Sequence, residues 1–359
     1  MNNASKGDPI VSSYNEWDPL EEVIVGTVEG ATIPEWHVSL EATMPEHAWD
    51  FFKTYGGQPF PKEMIEAATG DLNALVSILE KEGVKVRRPE HIDFSKPFKT
   101  PDWESPGGLY AAMPRDILMV IGDIIVEAPM AWRSRYFEIY AYRKLITEYF
   151  RQGARWLSAP KPRMADDLYD YDYTHPKKGE VRHVISDVEP TFDAADFMRF
   201  GKDIFVQKSN VTNSLGIEWV RRHIGPEYTV HTIDLDDTHP MHIDASISPL
   251  APGKLLVNPE RAHSLPPIFD SWKKLVAPSP CGPESPMLCF SSPWLSMNVL
   301  SIDEKRVIVE ENETTLIEAL KGWGFEPIPC PFRNFYSFGG SIHCATVDIR
   351  RRGTLKSYF

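Results

Sequence analysis

Short apolar segments, each interrupted once by a tight turn, recur along the chain. Five segments carry β-branched and other apolar residues on both sides of a turn, mostly Gly-Lys, Gly-Asp or Asp-Glu, which is the pattern of a β-hairpin. They are residues 115–129, 195–207, 245–259, 297–311 and 343–353, the last being the least regular. Their first residues are 80, 50, 52 and 46 positions apart, so the pattern predicts an internal repeat.

A helical pattern and one more short strand accompany each predicted hairpin. Apolar residues at i, i+3 and i+4, followed by a glycine, predict helices over 61–81, 134–152, 212–223, 264–275 and 314–321. The predicted third strands are 84–90, 154–160, 227–234, 274–280 and 325–331. Because one such unit cannot bury both of its faces, we expect five α/β units packed side by side in a closed ring. An ordinary α/β sandwich with irregular spacing is the alternative.

The repeat changes what the chain length implies. At about 150 residues per domain, 359 residues suggest two domains, whereas a ring of five units predicts a single domain over residues 1–359. A hydrophobic content of 42% with 11% aromatic residues argues against disorder. The 31 prolines favour strands and turns over long helices. Ligands of such a ring are expected in a central pocket, where the inner strand ends meet.

Charge and targeting signals exclude several classes of protein. With 38 Lys and Arg against 51 Asp and Glu, the net charge of −13 lacks the basic surface of a nucleic-acid binder. Residues 1–22 resemble neither a signal peptide nor an Arg-rich transit peptide, and no apolar run reaches roughly 18 residues. We therefore expect a cytoplasmic protein with neither nucleic-acid nor membrane partners. The four cysteines include no C-x-x-C pair, so neither a structural zinc site nor a disulfide framework is expected.

One cysteine stands apart from the others. Gly339 and Gly340 allow a tight backbone turn just before Cys344, which begins a predicted strand at a position exposed for a nucleophile. A lone cysteine is more often a small buried hydrophobe than a catalyst. That interpretation is applied to the remaining three, Cys281, Cys289 and Cys330.

A histidine that could serve as a base precedes the third hairpin. His242 lies at the rim where Cys344 is expected, and Asp244 shares its face if the segment is extended. His343 is a poorer base, because adjacent side chains of a strand point to opposite faces. His239 and His242 are three residues apart, but no third ligand of matching spacing follows, so no metal site is predicted.

Acidic residues precede the first and second hairpins. Asp116 lies directly before one, and Asp193 and Asp196 lie before the other, Asp196 being interpreted as structural. Each acid alone is an ordinary turn or capping residue. Their recurrence at the same place in successive units points to one shared site. Phosphate-loop, dinucleotide-binding, zincin and serine-hydrolase motifs are missing from the sequence, and Arg261, Ser291 and Ser292 are by themselves unremarkable.

Several long segments resemble the arginine amidinotransferases, which include arginine:glycine amidinotransferase and relatives in cyanobacterial toxin pathways. The resemblance extends from residue 15 to the C-terminus. Its motifs are YAAMPRDIL (110–118), IIVEAPMAWRSR (124–135), EPTFDAADF (189–197), HPMHIDA (239–245), SSPWLSMNVL (291–300) and GGSIHCATVDIRRRGTLKSY (339–358). It implies the α/β pentein fold, a five-bladed propeller, in agreement with the repeat.

The resemblance also implies a role for each candidate residue. Cys344 would be the nucleophile that attacks the guanidino carbon of L-arginine, and His242 the general acid and base. Asp193 would orient the histidine, as in a catalytic triad. Asp116 and Asp244 would clamp the guanidinium, whose planar fork of donors suits two carboxylates.

Further residues are implied for the rest of the substrates. Arg261 and Ser292 would hold the arginine carboxylate. Met241 and His239 would line the acceptor site, where Met241 matches the glycine-using enzymes and His239 replaces their asparagine. The acceptor therefore stays open between glycine and a precursor amine of a specialised metabolite. The resemblance implies small-molecule substrates and a homodimer. It implies neither a metal nor an organic cofactor.

Two alternatives to amidino transfer remain at this point. Water competes with the acceptor amine for the cysteine-bound intermediate, so a guanidine hydrolase on the same fold would release citrulline from arginine. A non-catalytic binding propeller is the other alternative. The joint presence of Cys344, His242 and Asp193 argues against it, because a binding protein does not need all three.

Overall fold

The computed structural model describes residues 9–177, 180–282 and 292–359. Cys289 and Ser291 lie outside these ranges. The described strands are β1 Leu20–Val25, β2 Lys85–Arg87, β3 Phe98–Lys99, β4 Glu104–Ser105, β5 Leu118–Ile121, β6 Ile124–Glu127, β7 Arg155–Ser158, β8 Phe197–Phe200, β9 Asp203–Val206, β10 Thr229–Thr232, β11 Ile247–Ala251, β12 Lys254–Val257, β13 Lys273–Val276, β14 Leu300–Ser301, β15 Arg306–Glu310, β16 Glu326–Cys330 and β17 Thr346–Arg351. The helices are α1 Val38–Thr43, α2 Trp49–Tyr55, α3 Lys62–Lys81, α4 Pro114–Ile117, α5 Arg143–Arg151, α6 Ser214–His223 and α7 Thr314–Gly322.

Five three-stranded sheets form the blades of the ring. Four of them consist of an antiparallel hairpin and a third strand parallel to the second: β5-β6-β7, β8-β9-β10, β11-β12-β13 and β14-β15-β16. Helices α5, α6 and α7 connect the second and third strands of three of these blades, as a parallel connection requires a crossover. The repeat of hairpin, helix and strand that the sequence predicts is confirmed in this part of the chain.

The fifth blade is built from both ends of the chain, so the predicted hairpin over 343–353 is wrong. Residues Thr346–Arg351 form the single strand β17, which pairs antiparallel with β1. β1 in turn pairs parallel with β2 across α3. The physical reason lies within the segment, because the run from Thr346 to Arg351 contains no glycine or proline turn that could divide it into two strands. The β1 strand supplies the missing partner and closes the ring.

The helix predicted over 264–275 is also wrong. This connection contains only a 3-10 turn at Pro267–Phe269 before β13 begins at Lys273. Pro266 and Pro267 remove backbone N–H donors and disfavour a helical continuation. Similarly, the helix predicted over 134–152 is α-helical only over α5, with 3-10 turns before it.

The turns that precede the first strand of each blade meet one another. α4 contacts the turn at Ala194–Asp196, which contacts the turn at Ile243–Ala245, which contacts the turn at Pro293–Met297. The ring then closes through hydrogen bonds, from the His343 amide to the Asn298 carbonyl (3.2 Å) and from the Arg115 amide to the Cys344 carbonyl (3.4 Å). The blade starts therefore surround one region. Among the described residues, no helix combines the length and apolar character needed to cross a bilayer.

A buried network of ion pairs fixes the blades relative to each other. Arg199 on β8 donates to both carboxylate oxygens of Glu16 (2.7 Å each) and to Asp348 on β17 (2.6 Å). Arg115 of α4 donates to the other oxygen of Asp348 (2.5 Å). Because buried charges are tolerated only when well paired, this network holds three neighbouring blades in one arrangement.

Candidate active site

A cavity of about 280 Å³ opens where the blade starts meet. It is lined by eight of the residues predicted from the sequence: Asp116, His239, Met241, His242, Asp244, Arg261, Ser292 and Cys344. The ninth, Asp193, is buried behind His242 and hydrogen-bonds to it. The structure therefore brings the predicted side chains into one site.

Cys344 lies in the turn before β17 and not at the start of a strand. Only 4% of the residue is exposed, so the predicted solvent-exposed position is wrong, although Cys344 does line the cavity. The glycines before it are needed as predicted. Gly339 has φ +88°, in the region that favours glycine, and a Cβ on Gly340 would come within 2.9 Å of the Cys344 Cβ.

The thiol of Cys344 faces a carboxylate. Its Sγ lies 3.6 Å from Oδ2 of Asp244, and its backbone amide donates to Oδ1 of Asn298 at 2.9 Å. Burial raises the pKa of the Cys344 thiol well above its usual range, and the carboxylates of Asp244 and Asp116 raise it further. In the unliganded site the cysteine is therefore a thiol and not a thiolate.

Asp244 is the centre of a dense hydrogen-bond cluster. Its Oδ2 accepts from Nδ2 of Asn298 and lies 2.8 Å from Nδ1 of His343. Burial opposes its ionisation, but the bond from His343 and the charge of His242 lower the pKa of Asp244 overall. The expectation that His343 points away from this region is wrong. The strand begins only at Thr346, so strand alternation does not apply to the turn that carries His343 and Cys344.

The backbone at His242 is not extended either. His242 has φ +60° and ψ 119°, and Ile243–Ala245 forms a 3-10 turn. The predicted reason for a shared face with Asp244 is therefore wrong, although both side chains reach the cavity. A positive φ at a residue other than glycine costs about 1–3 kcal/mol, and such strain is typical of functional sites.

The imidazole of His242 lies between two carboxylates. Nε2 is 3.1 Å from Oδ2 of Asp193, and Nδ1 is 3.6 Å from Oδ1 of Asp116. Burial opposes the protonated form, yet Asp116 and Asp193 together raise the pKa of His242 to about 10. The ring is therefore cationic near neutral pH and poised to donate a proton.

Arg135 is a site residue that sequence reasoning missed. Its buried Nη1 donates to Oδ2 of Asp116 (2.9 Å) and to Oδ2 of Asp193 (3.4 Å), while Nε and Nη2 donate to Glu138. The guanidinium of Arg135 thus links Asp116, which is predicted to bind the substrate, to Asp193, which is predicted to orient His242. The available signal was a pair of charged residues, Arg135 and Glu138, inside a segment assigned to a buried helical face.

Asn298 was missed as well. It follows the turn at Pro293–Met297, two residues before β14, and bridges the Cys344 amide and the Asp244 carboxylate. The repeat itself carried the signal, because each of the other blade starts already supplied a candidate side chain. Asn298 is the contribution of the remaining blade.

Two carboxylate oxygens of the site are buried without a hydrogen bond among the described residues. They are Oδ1 of Asp116 and Oδ1 of Asp193. The ligand atoms of Asp116, Asp193 and His242 lie within 4.8 Å of one another. The charges of these two acids are balanced by the protonated imidazole and by the guanidinium of Arg135, which donates to both.

The other predicted residues occupy the outer part of the cavity or its surroundings. Arg261 pairs with Asp237 through Nη1 at 3.2 Å. His239 lies against His175, with ring centroids 4.3 Å apart, instead of forming a ligand pair with His242. Asp196 accepts bonds from three buried side chains, Ser209, Thr212 and Gln207.

The remaining cysteines differ from each other. Cys330 is buried, as the packing interpretation predicts. Cys281 is not a core residue, because it is partly exposed and its Sγ lies 3.1 Å from Oγ1 of Thr315 at the start of α7. The general rule that a lone cysteine packs in the core fails here, because Cys281 lies in a proline-rich segment against the polar first turn of α7.

Comparisons with known proteins cover nearly the whole chain. The chain is 54% identical over 349 residues to L-arginine:L-lysine amidinotransferase from Pseudomonas savastanoi pv. phaseolicola, covering 97% of this chain and 96% of that protein. It is 51% identical over 358 residues to the mitochondrial glycine amidinotransferase of Danio rerio, covering 97% of this chain and 85% of that protein. No protein-family model matches.

A comparison with solved structures also finds an amidinotransferase. SxtG, an amidinotransferase from Microseira wollei in the saxitoxin biosynthetic pathway, is 52% identical with a TM-score of 0.94, over 97% of this chain and 99% of that one. A dimethylarginine dimethylaminohydrolase is 13% identical with a TM-score of 0.57, over 92% of this chain and 99% of that one, a likeness of fold alone. The five-bladed α/β architecture is thus the pentein propeller that the sequence predicts.

Proposed function

The chain belongs to the arginine amidinotransferase family and moves the amidino group of arginine, and from this premise we propose that Cys344 carries the group as a covalent amidino-cysteine. One observation supports the proposal above all others. A buried thiol, a doubly paired imidazole and two buried carboxylates converge on a single cavity.

Arginine fits this cavity at both of its ends. Its guanidinium would lie between Asp116 and Asp244, the two acids that line the cavity. Its carboxylate would be held by Arg261 and by the hydroxyl of Ser292, which line the same cavity. Two fixed ends align the guanidino carbon with the nucleophile, which is worth several kcal/mol of the activation barrier.

Arginine would activate its own nucleophile. Burial, together with the carboxylates of Asp244 and Asp116, raises the pKa of the Cys344 thiol and keeps it protonated before arginine binds. A guanidinium between them would offset their charge and lower the thiol pKa. The thiol proton passes to solvent as arginine binds, the thiolate attacks the guanidino carbon, and protonated His242 donates its proton to the leaving nitrogen. A C–S bond forms, the C–N bond to ornithine breaks, and His242 is left neutral, able to take a proton from the incoming amine.

Transfer would complete the cycle in a ping-pong sequence. After ornithine leaves, an amine enters, His242 removes a proton from it, and its nitrogen displaces the Cys344 sulfur. Water must be kept out during this exchange. The apolar cavity lining, which includes Leu109, Trp132 and Phe338, supports such exclusion.

We propose that the acceptor is a primary amine, with lysine as the first candidate. Acceptor and ornithine would use the same cavity, so Arg261 and Ser292 are available to hold a second α-carboxylate. Lysine carries its amine at nearly the same distance from the carboxylate as ornithine does. Glycine and larger amines of specialised metabolism remain the alternatives, with His239 and Met241 on the cavity wall. The homodimer implied by the resemblance and the cytoplasmic location predicted from the sequence belong to the same proposal.

An assay with arginine and a panel of amines tests the function. We expect ornithine to form only when an accepted amine is present, together with the corresponding guanidino product. Citrulline formed without an amine would support the hydrolase instead, and neither product would support a binding role. Cys344→Ala should abolish turnover, whereas the matched variant Cys281→Ala should retain it.

A further inference from the structure

A second histidine, the residue just before the nucleophile, lies between two carboxylates. His343 is buried, with Nδ1 2.8 Å from Oδ2 of Asp244 and Nε2 3.5 Å from Oε2 of Glu16. His242 has the same arrangement with Asp193 and Asp116 on the cavity wall. The proposed mechanism uses His242 but assigns nothing to His343.

The surroundings of His343 hold its imidazole in one orientation. Glu16 is itself fixed by Arg199 through both of its oxygens, and it lies 3.5 Å from Nη1 of Arg115. Burial and the charge of Arg115 oppose protonation of His343, whereas Asp244 and Glu16 favour it and raise its pKa overall. Because a carboxylate oxygen only accepts, the Nδ1 atom at 2.8 Å carries a hydrogen and donates it to Asp244.

The hydrogen bonds to Asp244 reach only one of its oxygens. His343, Asn298 and the thiol of Cys344 all approach Oδ2. No hydrogen bond to Oδ1 comes from the described residues, although Asp244 lines the cavity. The Asp244 carboxylate is thus oriented through Oδ2, and Oδ1 is left for a ligand.

We propose that His343 is a positioning residue, which holds Asp244 ionised and aimed at the substrate so that the site selects a cationic guanidinium over a neutral urea. The inference rests on the proposed function, in which arginine binds in this cavity. Loss of the imidazole removes a donor that fixes Oδ2 of Asp244, so the carboxylate that distinguishes arginine from citrulline is held less firmly. Contacts to the α-carboxylate of either ligand, made by Arg261 and Ser292, are unaffected.

Calorimetric titration of the Cys344→Ala protein with L-arginine and with L-citrulline tests this inference. The readout is the dissociation constant for citrulline divided by that for arginine. These two ligands differ in charge but hardly in shape. His343→Gln moves the donor away from Asp244, and we expect the ratio to fall at least tenfold, through weaker arginine binding. His343→Asn keeps a neutral donor near the Nδ1 position, and we expect a smaller fall of a few-fold.

Controls separate this role from general destabilisation. His231→Asn disrupts a His–Asp pair outside the cavity, where Nε2 lies 2.7 Å from Oδ1 of Asp203, and should leave the ratio unchanged. An unchanged ratio in both His343 variants, or equal losses for arginine and citrulline, overturns the inference. If His343→Gln does not fold by circular dichroism, His343→Asn decides. Absence of arginine binding in the Cys344→Ala reference contradicts the proposed function itself.

Discussion

Replacing Asp244 by asparagine should make Cys344 more reactive toward an alkylating reagent, even though the variant loses a substrate contact. The carboxylate lies 3.6 Å from the thiol sulfur and, after burial, is the largest contribution to the raised thiol pKa. Asparagine has nearly the same shape but no charge. Removal of this charge should therefore increase the fraction of thiolate at any given pH.

The distance sets the size of the effect. Two unit charges 3.6 Å apart interact by about 5 kcal/mol at an effective dielectric constant of roughly 20. If relaxation of the site halves this energy, the thiolate population at fixed pH still rises on the order of fiftyfold.

The assay is the rate of iodoacetamide labelling at Cys344, followed by peptide mass spectrometry at fixed pH. Asp196→Asn is the matched control, because Asp196 is also a buried acid at a blade start but is held by Ser209, Thr212 and Gln207. We expect fast labelling in Asp244→Asn and near wild-type labelling in Asp196→Asn. Equal or slower labelling in Asp244→Asn would refute the account of how the thiol is kept protonated.

Three further predictions concern the rest of the site. Arg135→Met should lower the free energy of unfolding in chemical denaturation by about 3–5 kcal/mol, because it leaves buried carboxylates without their partner. Adding Glu138→Gln should restore stability but not turnover, and full activity in the double variant would contradict this. The pKa of His242 is raised to about 10, so its contribution to the free energy of unfolding should be complete below about pH 6.5 and decline as the pH rises through 10. A difference in unfolding free energy between the wild type and His242→Gln that does not change with pH would be inconsistent with this pairing. His239→Asn should change the acceptor profile in the amine panel while ornithine release from arginine is retained, and an unchanged profile would exclude this position from acceptor selection.

The repeat made much of the fold predictable, because hairpin patterns are local. The four blades from β5 to β16 follow the predicted order of strands. The fifth blade was not predictable in the same way, since β17 and β1 are separated by nearly the whole chain and no local pattern announces their pairing. The missing helix near Pro267 shows the opposite error, in which apolar spacing was given more weight than two consecutive prolines.

The site was predictable in position but not in geometry. Asp116, Asp193 and His242 were found because each precedes a hairpin, and their roles came from the family resemblance. The positive φ of His242 and the turn around His343 were beyond sequence reasoning, because both depend on contacts between distant blades. Arg135 was missed for a related reason, since its partners Asp116 and Asp193 belong to other segments of the chain.

The central claim is that Cys344 carries the amidino group, and one measurement addresses it most directly. The protein is mixed with L-arginine without any amine, quenched in acid and digested, and the Cys344 peptide is analysed by mass spectrometry. The account predicts a mass increase of one amidino group on Cys344, in step with about one ornithine released per protein chain, and loss of the adduct when an accepted amine is added. Amine-dependent turnover without an adduct, or an adduct on a different cysteine, would contradict the claim.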